Sequence, residues 1–203
     1  MLRCSGLEFE QLDRLPSPSE SGAKLWLVLD EVVDPQNFGA LLRSVYFLGG
    51  RYSSDDDRSI GVLACKKNSA PLSPIVSASS AGALELSTVY STNNLPRTLN
   101  AAKEDGWRIM GAAAEAPTDM FSETGEPVMC YNLEDVTENN PTLLVLGSEG
   151  HGLRNLVARA CTDFVRIPGC DTGDWDGDST NVGVDSLNVS VTGGILMWHL
   201  KHQ

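Results

Sequence analysis

No stretch of the chain is apolar for long enough to span a membrane, and its opening residues have neither a secretory signal's apolar core nor a transit peptide's arginine-rich, acid-poor character. The start therefore reads as a processed or engineered boundary. Histidine is scarce, at three residues, and the five cysteines (Cys4, Cys65, Cys130, Cys161, Cys170) are odd in number, scattered and without a CxxC pair. That excludes a disulfide framework and the usual zinc patterns, and points to a reducing compartment. Basic charge is short too: 15 Lys and Arg against 27 Asp and Glu leave a net charge of −12. Such a balance repels polyanions at long range and argues against non-specific nucleic-acid binding. Many of the acids, however, sit in "SSDDDRS" (53–59), "LEDVTEN" (133–139) and "DTGDWDGDST" (171–180), which read as solvated loops. A local site built from a few Arg and Lys residues stays open.

What is present describes one soluble α/β domain. With 41% hydrophobic residues in 203, the chain can bury one core. Residues 1–24, with "LPSPSESGAK", read as an arm or linker, and the core starts at the strand "LWLVLD" (25–30). "DPQNFGALLRSVYFLGG" (34–50) reads as a helix with Asp34 as N-cap, Pro35 in the first turn and Gly49-Gly50 as the stop. Then follow a strand at 60–65, a helix through 74–84, a short strand near 87–90, a helix near 94–105 and a strand at 107–114. The strand ending "LLVL" (143–146), its glycine turn and helix, a strand at 164–168 and a helix over 186–201 complete the order. Strands alternating with helices predict a mainly parallel sheet.

Three segments carry candidate chemistry. On the first helix, Phe38, Leu41, Leu42, Val45 and Leu48 form one stripe, and Arg43 points away from it. Gly39 lies one turn before Arg43, so the guanidinium is expected beside exposed backbone where a phosphate or carboxylate can approach. Taken alone, the simpler reading of a surface Arg and a helix-packing Gly is the better one, since most helical Arg residues are solvated. In "LGSEGHGL" a strand feeds a glycine turn, which usually brings backbone close to a ligand, yet the turn lacks the Lys-Ser/Thr of a P-loop and a complete GxGxxG. Of the histidines, His151 in this turn is the one kept as functional. The last helix, "SLNVSVTGGILMWHL", is apolar nearly all round, which suggests burial at a subunit interface. Ser186 and Asn188 at its start offer a hydroxyl and an amide, with capping by Ser186 as the plain alternative. The glycosylation sequon at Asn188 is discounted because its context is buried. The aspartates of 171–180 miss the EF-hand pattern, and His199 and His202 read as a frayed tail rather than a metal site, so no metal is expected.

Taken in order, "DPQNFGALLRS", "VLGSEGHGL" and "IPG…VDSLNVSV" resemble the three motifs of the SpoU/TrmH branch of the SPOUT RNA methyltransferases, and "NSAPLSPIVSASSAGALEL" (68–86) is similar to their mitochondrial ribosomal-RNA members. The resemblance covers about residues 25–200. It implies an α/β sheet with a C-terminal trefoil knot, an exception to the rule that chains do not thread loops. It also implies S-adenosyl-L-methionine as cofactor, with Leu146, Gly147, Gly150, Ile167 and Leu187 in contact with it. The turn's glycines would then be there because backbone lies against adenosine and methionine. The catalytic set by the same resemblance is Asn37, Arg43, Glu149, Ser186 and Asn188, completed across a homodimer.

The implied reaction is in-line attack of a ribose 2′-oxygen on the sulfonium methyl. A guanidinium, with a pKa above about 12, is a reluctant base, so Arg43 reads as a phosphate clamp that assists deprotonation, with Asn37, Ser186 and Asn188 fixing geometry and Glu149 orienting Arg43 or its neighbours. The expected substrate is a guanosine of mitochondrial large-subunit ribosomal RNA. Transfer-RNA ribose methylation, or a dimeric RNA-binding assembly factor with dispensable methylation, stand as alternatives. Family members commonly carry an amino-terminal RNA-binding domain, so this chain resembles an isolated catalytic domain. The acidic insertion near 170–183 interrupts the third motif and is expected to repel phosphate unless it faces away.

Overall fold

The computed structural model describes residues 6–53, 56–113, 127–137, 140–169 and 186–203. In chain order its elements are β1 (Glu10–Gln11), α1 (Pro18–Ser21), β2 (Leu25–Leu29), α2 (Pro35–Gly49), β3 (Ile60–Cys65), α3 (Pro74–Ser79), α4 (Ala83–Leu86), β4 (Tyr90–Thr92), α5 (Leu95–Glu104), β5 (Arg108–Ala112), β6 (Cys130–Asn132), β7 (Thr142–Leu146), α6 (Asn155–Ala158), β8 (Asp163–Arg166) and α7 (Val189–Lys201). The strands form one sheet in the order β1-β4-β3-β2-β7-β5-β8-β6. Every neighbouring pair is parallel.

A parallel sheet covered on both faces needs strands that are apolar on both sides, and these are. Along β2, Leu25, Leu27 and Leu29 enter one core while Trp26 and Val28 enter the other; β7 divides likewise, with Leu144 and Leu146 against Leu143 and Val145. The first face is covered by α2, α3, α4 and α7, the second by α5, α6 and the arm residues Leu15 and Ala23. From Glu10 onward the arm belongs to this body, since β1 pairs with β4 and the Trp26 indole donates to Ser21 Oγ at 2.9 Å.

The helix expected over 74–84 is two short helices. Ala81 (φ 53°) and Gly82 (φ 88°) are both left-handed, which no α-helix tolerates, so the chain turns between α3 and α4. The short strand lies at Tyr90–Thr92, a little beyond its expected place, and the helix after the glycine turn is a single turn. Helix α2 matches its expected ends: the Asp34 carboxylate accepts from Gln36 N at 3.1 Å, Pro35 opens it, and Gly50 stops it at φ 68°. The last helix begins at Val189, not 186, because Asn188 takes the cap position. Within the single chain it is buried on one side. Val189, Gly193, Leu196 and Met197 face the core, whereas Val191, Ile195 and Trp198 are exposed.

Gly39 is buried rather than beside open backbone. A Cβ there would meet Ser79 Oγ and come to 2.7 Å from the Val76 carbonyl oxygen, so the glycine lets α2 lie directly on α3. Cys65, Cys130 and Cys161 are free thiols, and burial pushes Cys161 up to about 12. Gly39→Ala should lower stability in urea denaturation by about 2 kcal/mol, the usual cost of overpacking. Adding Ser79→Ala should restore only part of it, because the Val76 carbonyl cannot withdraw; an unchanged midpoint in Gly39→Ala would sink this account.

Candidate active site at the carboxyl edge of the sheet

Strands β2 and β7 are neighbours in register, Leu29 opposite Leu146, and the chain leaves their carboxyl ends toward opposite faces. After β2 it enters α2 on one face; after β7 it enters the turn 147–153 and then α6 on the other. Such a switch point leaves a crevice where open α/β sheets bind ligands.

Three side chains from distant parts of the sequence meet there. Asn188 Nδ2 donates to Asn37 Oδ1 at 3.0 Å, 151 positions away, and to Glu149 Oε1 at 2.6 Å. Its own Oδ1 accepts from Ser190 N at 2.8 Å and Ser190 Oγ at 2.6 Å. Both ends of the amide are thus committed, and its orientation follows from its partners. Asn188, rather than Ser186, is the N-cap of α7. Glu149 Oε1 also accepts from Val189 N at 3.4 Å, so a carboxylate faces the positive end of a 13-residue helix. Among the described residues Asn37 Nδ2 and Glu149 Oε2 have no protein partner, which leaves one donor and one acceptor at the edge of the crevice.

The approach of α7 depends on Gly193. A Cβ there would strike the Leu41 side chain and come to 2.7 Å from Leu146 Cδ1, so glycine lets the helix lie close against α2 and β7, where its cap Asn188 reaches Asn37 and Glu149.

The glycine turn is built against itself. Ser148 and Gly152 exchange two backbone hydrogen bonds of 3.0 Å, Gly152 takes φ 63°, and a Cβ on Gly147 would enter the Gly152 carbonyl and reach 2.5 Å from Leu153 N. Those two glycines are thus required by the turn's own closure. At Gly150 and Gly152 a Cβ would meet open space, and Gly150 and His151 are exposed at the tip. Leu146 is buried beneath, Ile167 half-buried beyond β8 and Leu187 exposed beside Asn188. All lie at or just beyond carboxyl ends of parallel strands, or adjoin the Asn188 hub. Ser186 is exposed, and residues 170–185, which hold the acidic insertion, lie outside those described.

Arg43 stands apart. It is exposed on α2, has no ion pair among the described residues, and lines a groove of about 540 Å³ with Phe47, Leu86, Gly194 and Trp198. Glu149 bonds to Asn188 and Val189 and not to this guanidinium. The larger hollow, about 680 Å³ by Arg14, Trp26, Tyr52 and Asp105, contains none of the sequence-predicted residues. Among the described residues no three His, Cys, Asp or Glu side chains group as a metal would need, and no helix is long and apolar enough to cross a membrane.

One feature escaped sequence reasoning altogether. Asp30, at the end of β2 with its side chain wholly buried, accepts from Arg154 N at 3.0 Å and Arg154 Nε at 2.7 Å, with Arg154 Nη2 at 2.6 Å. Arg154 Nη2 also donates to Cys65 Sγ at 3.3 Å, and Nη1 lies 3.5 Å from Glu31. Burial works against the arginine's charge, but the Asp30 hydrogen bond and charge outweigh it and hold the Arg154 pKa above its ordinary value. The only sequence signal was an Asp closing an apolar strand.

The chain matches the SpoU rRNA Methylase family over residues 24–198. It is 40% identical over 187 residues to rRNA methyltransferase 1, mitochondrial, of Homo sapiens, covering 92% of this chain and 48% of that protein. It is 33% identical over 192 residues to the 23S rRNA (guanosine-2′-O-)-methyltransferase RlmB of Pseudomonas syringae, covering 95% of this chain and 63% of that one. The chain thus spans between about half and two thirds of these relatives' length. Among solved structures, an RNA methyltransferase of the TrmH family from Porphyromonas gingivalis superposes with a TM-score of 0.66 at 28% identity, over 93% of this chain and 62% of that one. The SpoU methyltransferase AviRb of Streptomyces viridochromogenes, solved with AdoMet, shares the fold at a TM-score of 0.64 and 20% identity, over 88% of this chain and 60% of that one. With three separated motifs meeting at one sheet edge and a family match over most of its length, this chain belongs to the SpoU rRNA methylase family.

Proposed function

We infer that residues 25–203 form a catalytic domain that transfers a methyl group from S-adenosyl-L-methionine to a ribose 2′-hydroxyl of ribosomal RNA. The observation that carries this reading is the convergence of Asn37, Glu149 and Asn188 at the β2/β7 switch point. The surroundings fit the cofactor: an open turn tip at Gly150, the half-buried Ile167 and the exposed Leu187 offer backbone and apolar contacts for an adenosine. Leu146 and Gly147 form the floor. When bound, the cofactor supplies a methyl group on a sulfonium, electrophilic without further activation.

The chain's own residues then have separable tasks. Asn188, locked by four hydrogen bonds, holds Asn37 and Glu149 in register, so the free Asn37 Nδ2 and Glu149 Oε2 meet an incoming ribose without reorganising. Arg43 presents a planar fork of donors suited to a phosphate, and so takes the role of clamp on the phosphate next to the target ribose. Ser186, exposed just before the hub, adds a hydroxyl at the acceptor side.

Two further elements belong to this reading. A second copy of the chain covers the exposed face of α7 and α2, and so completes the acceptor site beside Arg43. Its support is the exposure of Phe47 (86%), Trp198 (57%) and Leu86 (51%) around one groove, an arrangement unfavourable in water for an isolated chain. The C-terminal part is tied in a trefoil knot, a reading supported by the return of α7 from β8, on the far side of β5, to the turn after β7. A guanosine of mitochondrial large-subunit RNA as the target, and the mitochondrial matrix as the location, rest on the names of the relatives.

Titration calorimetry should give saturable binding of S-adenosylmethionine to the chain, and incubation with ribosomal RNA should yield alkali-resistant 2′-O-methylated dinucleotides. A folded chain that binds no cofactor would replace this reading with that of an RNA-binding assembly factor. Arg43→Ala should keep cofactor affinity and lower methyl transfer by roughly 10²-fold, the scale of removing one charge-stabilising donor; wild-type turnover in that variant would remove Arg43 from the mechanism. In light scattering, Phe47→Glu with Trp198→Glu should halve the mass of the wild-type particle, whereas equal masses would refute the covered face.

A further inference from the structure

Asp30 is the buried carboxylate at the crevice, and its partner is not on a neighbouring strand but at the end of the glycine turn. Arg154 meets it three times, through the backbone N, Nε and Nη2. A wholly buried carboxylate is tolerated only where charge and hydrogen bonds compensate it, so the position of residue 154 is dictated by the end of β2. The turn's other end is dictated by β7, whose Leu146 carbonyl accepts from Asp30 N at 2.8 Å. One residue therefore grips both ends of the segment 147–153.

A brace surrounds the pair. Glu31 and Asn68 both adopt left-handed backbone, at φ 60° and 59°, which costs energy for any residue with a Cβ. In that conformation Asn68 Nδ2 donates to Glu31 Oε1 at 2.9 Å, and the same oxygen lies 3.5 Å from Arg154 Nη1. Strained backbone at two adjoining strand ends is thus spent on directing one carboxylate toward the arginine that holds the turn. Arg154 Nη2 completes its contacts at Cys65 Sγ, at the end of β3.

We propose that the Asp30–Arg154 pair, braced by Glu31 and Asn68, is a positioning device that holds the turn 147–153 in the shape that accepts the cofactor and keeps Glu149 within reach of Asn188. Asp30 and Arg154 need not touch the cofactor; they act through the turn. The inference rests on the cofactor reading above. Its first consequence, however, concerns the ligand-free turn.

Arg154→Lys tests it, because an ammonium keeps the charge opposite Asp30 but cannot reproduce the arginine's fork. Asp30→Asn serves as a second variant, and Arg108→Lys as a control. Arg108 pairs with Asp163 at 2.8 Å at the opposite edge of the sheet, so it reports what loss of a comparable ion pair does to the fold alone. In the ligand-free protein, amide exchange at Ser148 and Gly152 should speed up in Arg154→Lys and not in Arg108→Lys. The dissociation constant for S-adenosylmethionine should rise by about 10- to 100-fold in Arg154→Lys and Asp30→Asn, with Arg108→Lys unchanged at a similar melting temperature. Wild-type cofactor affinity in both variants would overturn the proposal and leave the methyltransferase reading standing. Failure of the wild-type chain to bind cofactor would overturn that reading instead, and unchanged exchange at Ser148 and Gly152 would by itself overturn the device.

Discussion

The pairing of β2 with β7 is the constraint on which the rest of the molecule depends. Five residues of each strand lie in register, from Leu25 opposite Thr142 to Leu29 opposite Leu146, and a last backbone bond from Asp30 closes the ladder. Both strands are buried on both faces, so neither can slip by one residue without exchanging the side chains of two packed cores. Because the pairing is parallel, both carboxyl ends lie at the same edge, and the two motifs that follow them are brought side by side. One is the helix that carries Asn37; the other is the turn that carries Glu149.

The third motif arrives from elsewhere and is held by different means. No strand delivers Asn188; a helix does, and its placement depends on Gly193 allowing contact with Leu41 and Leu146. Once there, Asn188 is both helix cap and network centre, accepting from Ser190 on one side and donating to Asn37 and Glu149 on the other. A capping residue is a natural choice for such a hub. Its oxygen is committed to the helix, so its nitrogen points away from it and toward whatever the helix end faces. The same helix also exposes Val191, Ile195 and Trp198 beyond its capping turn, so one element carries both site and surface.

Much of this was legible in the residues. Alternating strands and helices called for a parallel sheet; Asp34, Pro35 and Gly50 marked α2 closely; and the resemblance named Asn37, Glu149 and Asn188, which the fold joins through Asn188. Other readings failed for reasons of packing. At Gly39 the helix-packing reading holds and the open-backbone alternative fails, because α3 occupies that side of α2. The continuous helix expected over 74–84 is interrupted at Ala81 and Gly82, where Ala81 takes a conformation its residue type does not favour. The resemblance assigned the turn's glycines to ligand contact and gave no sign of a second task at Gly147 and Gly152, which are needed where the turn folds onto itself.

Residue order alone settles what is local and periodic: which segments become strands and helices, where α2 begins and ends, and that a glycine-rich turn follows β7. These depend on side-chain shape, backbone preference and spacing within a few residues. The folded chain adds that Asp30 pairs with Arg154, that Asn188 rather than Ser186 caps α7 and joins Asn37 to Glu149, and that Arg43 stands apart on a groove with an apolar rim. Those outcomes join residues distant along the chain, and they depend on burial and on the exclusion of water between particular elements. No window of sequence contains that information until the sheet has brought its ends together.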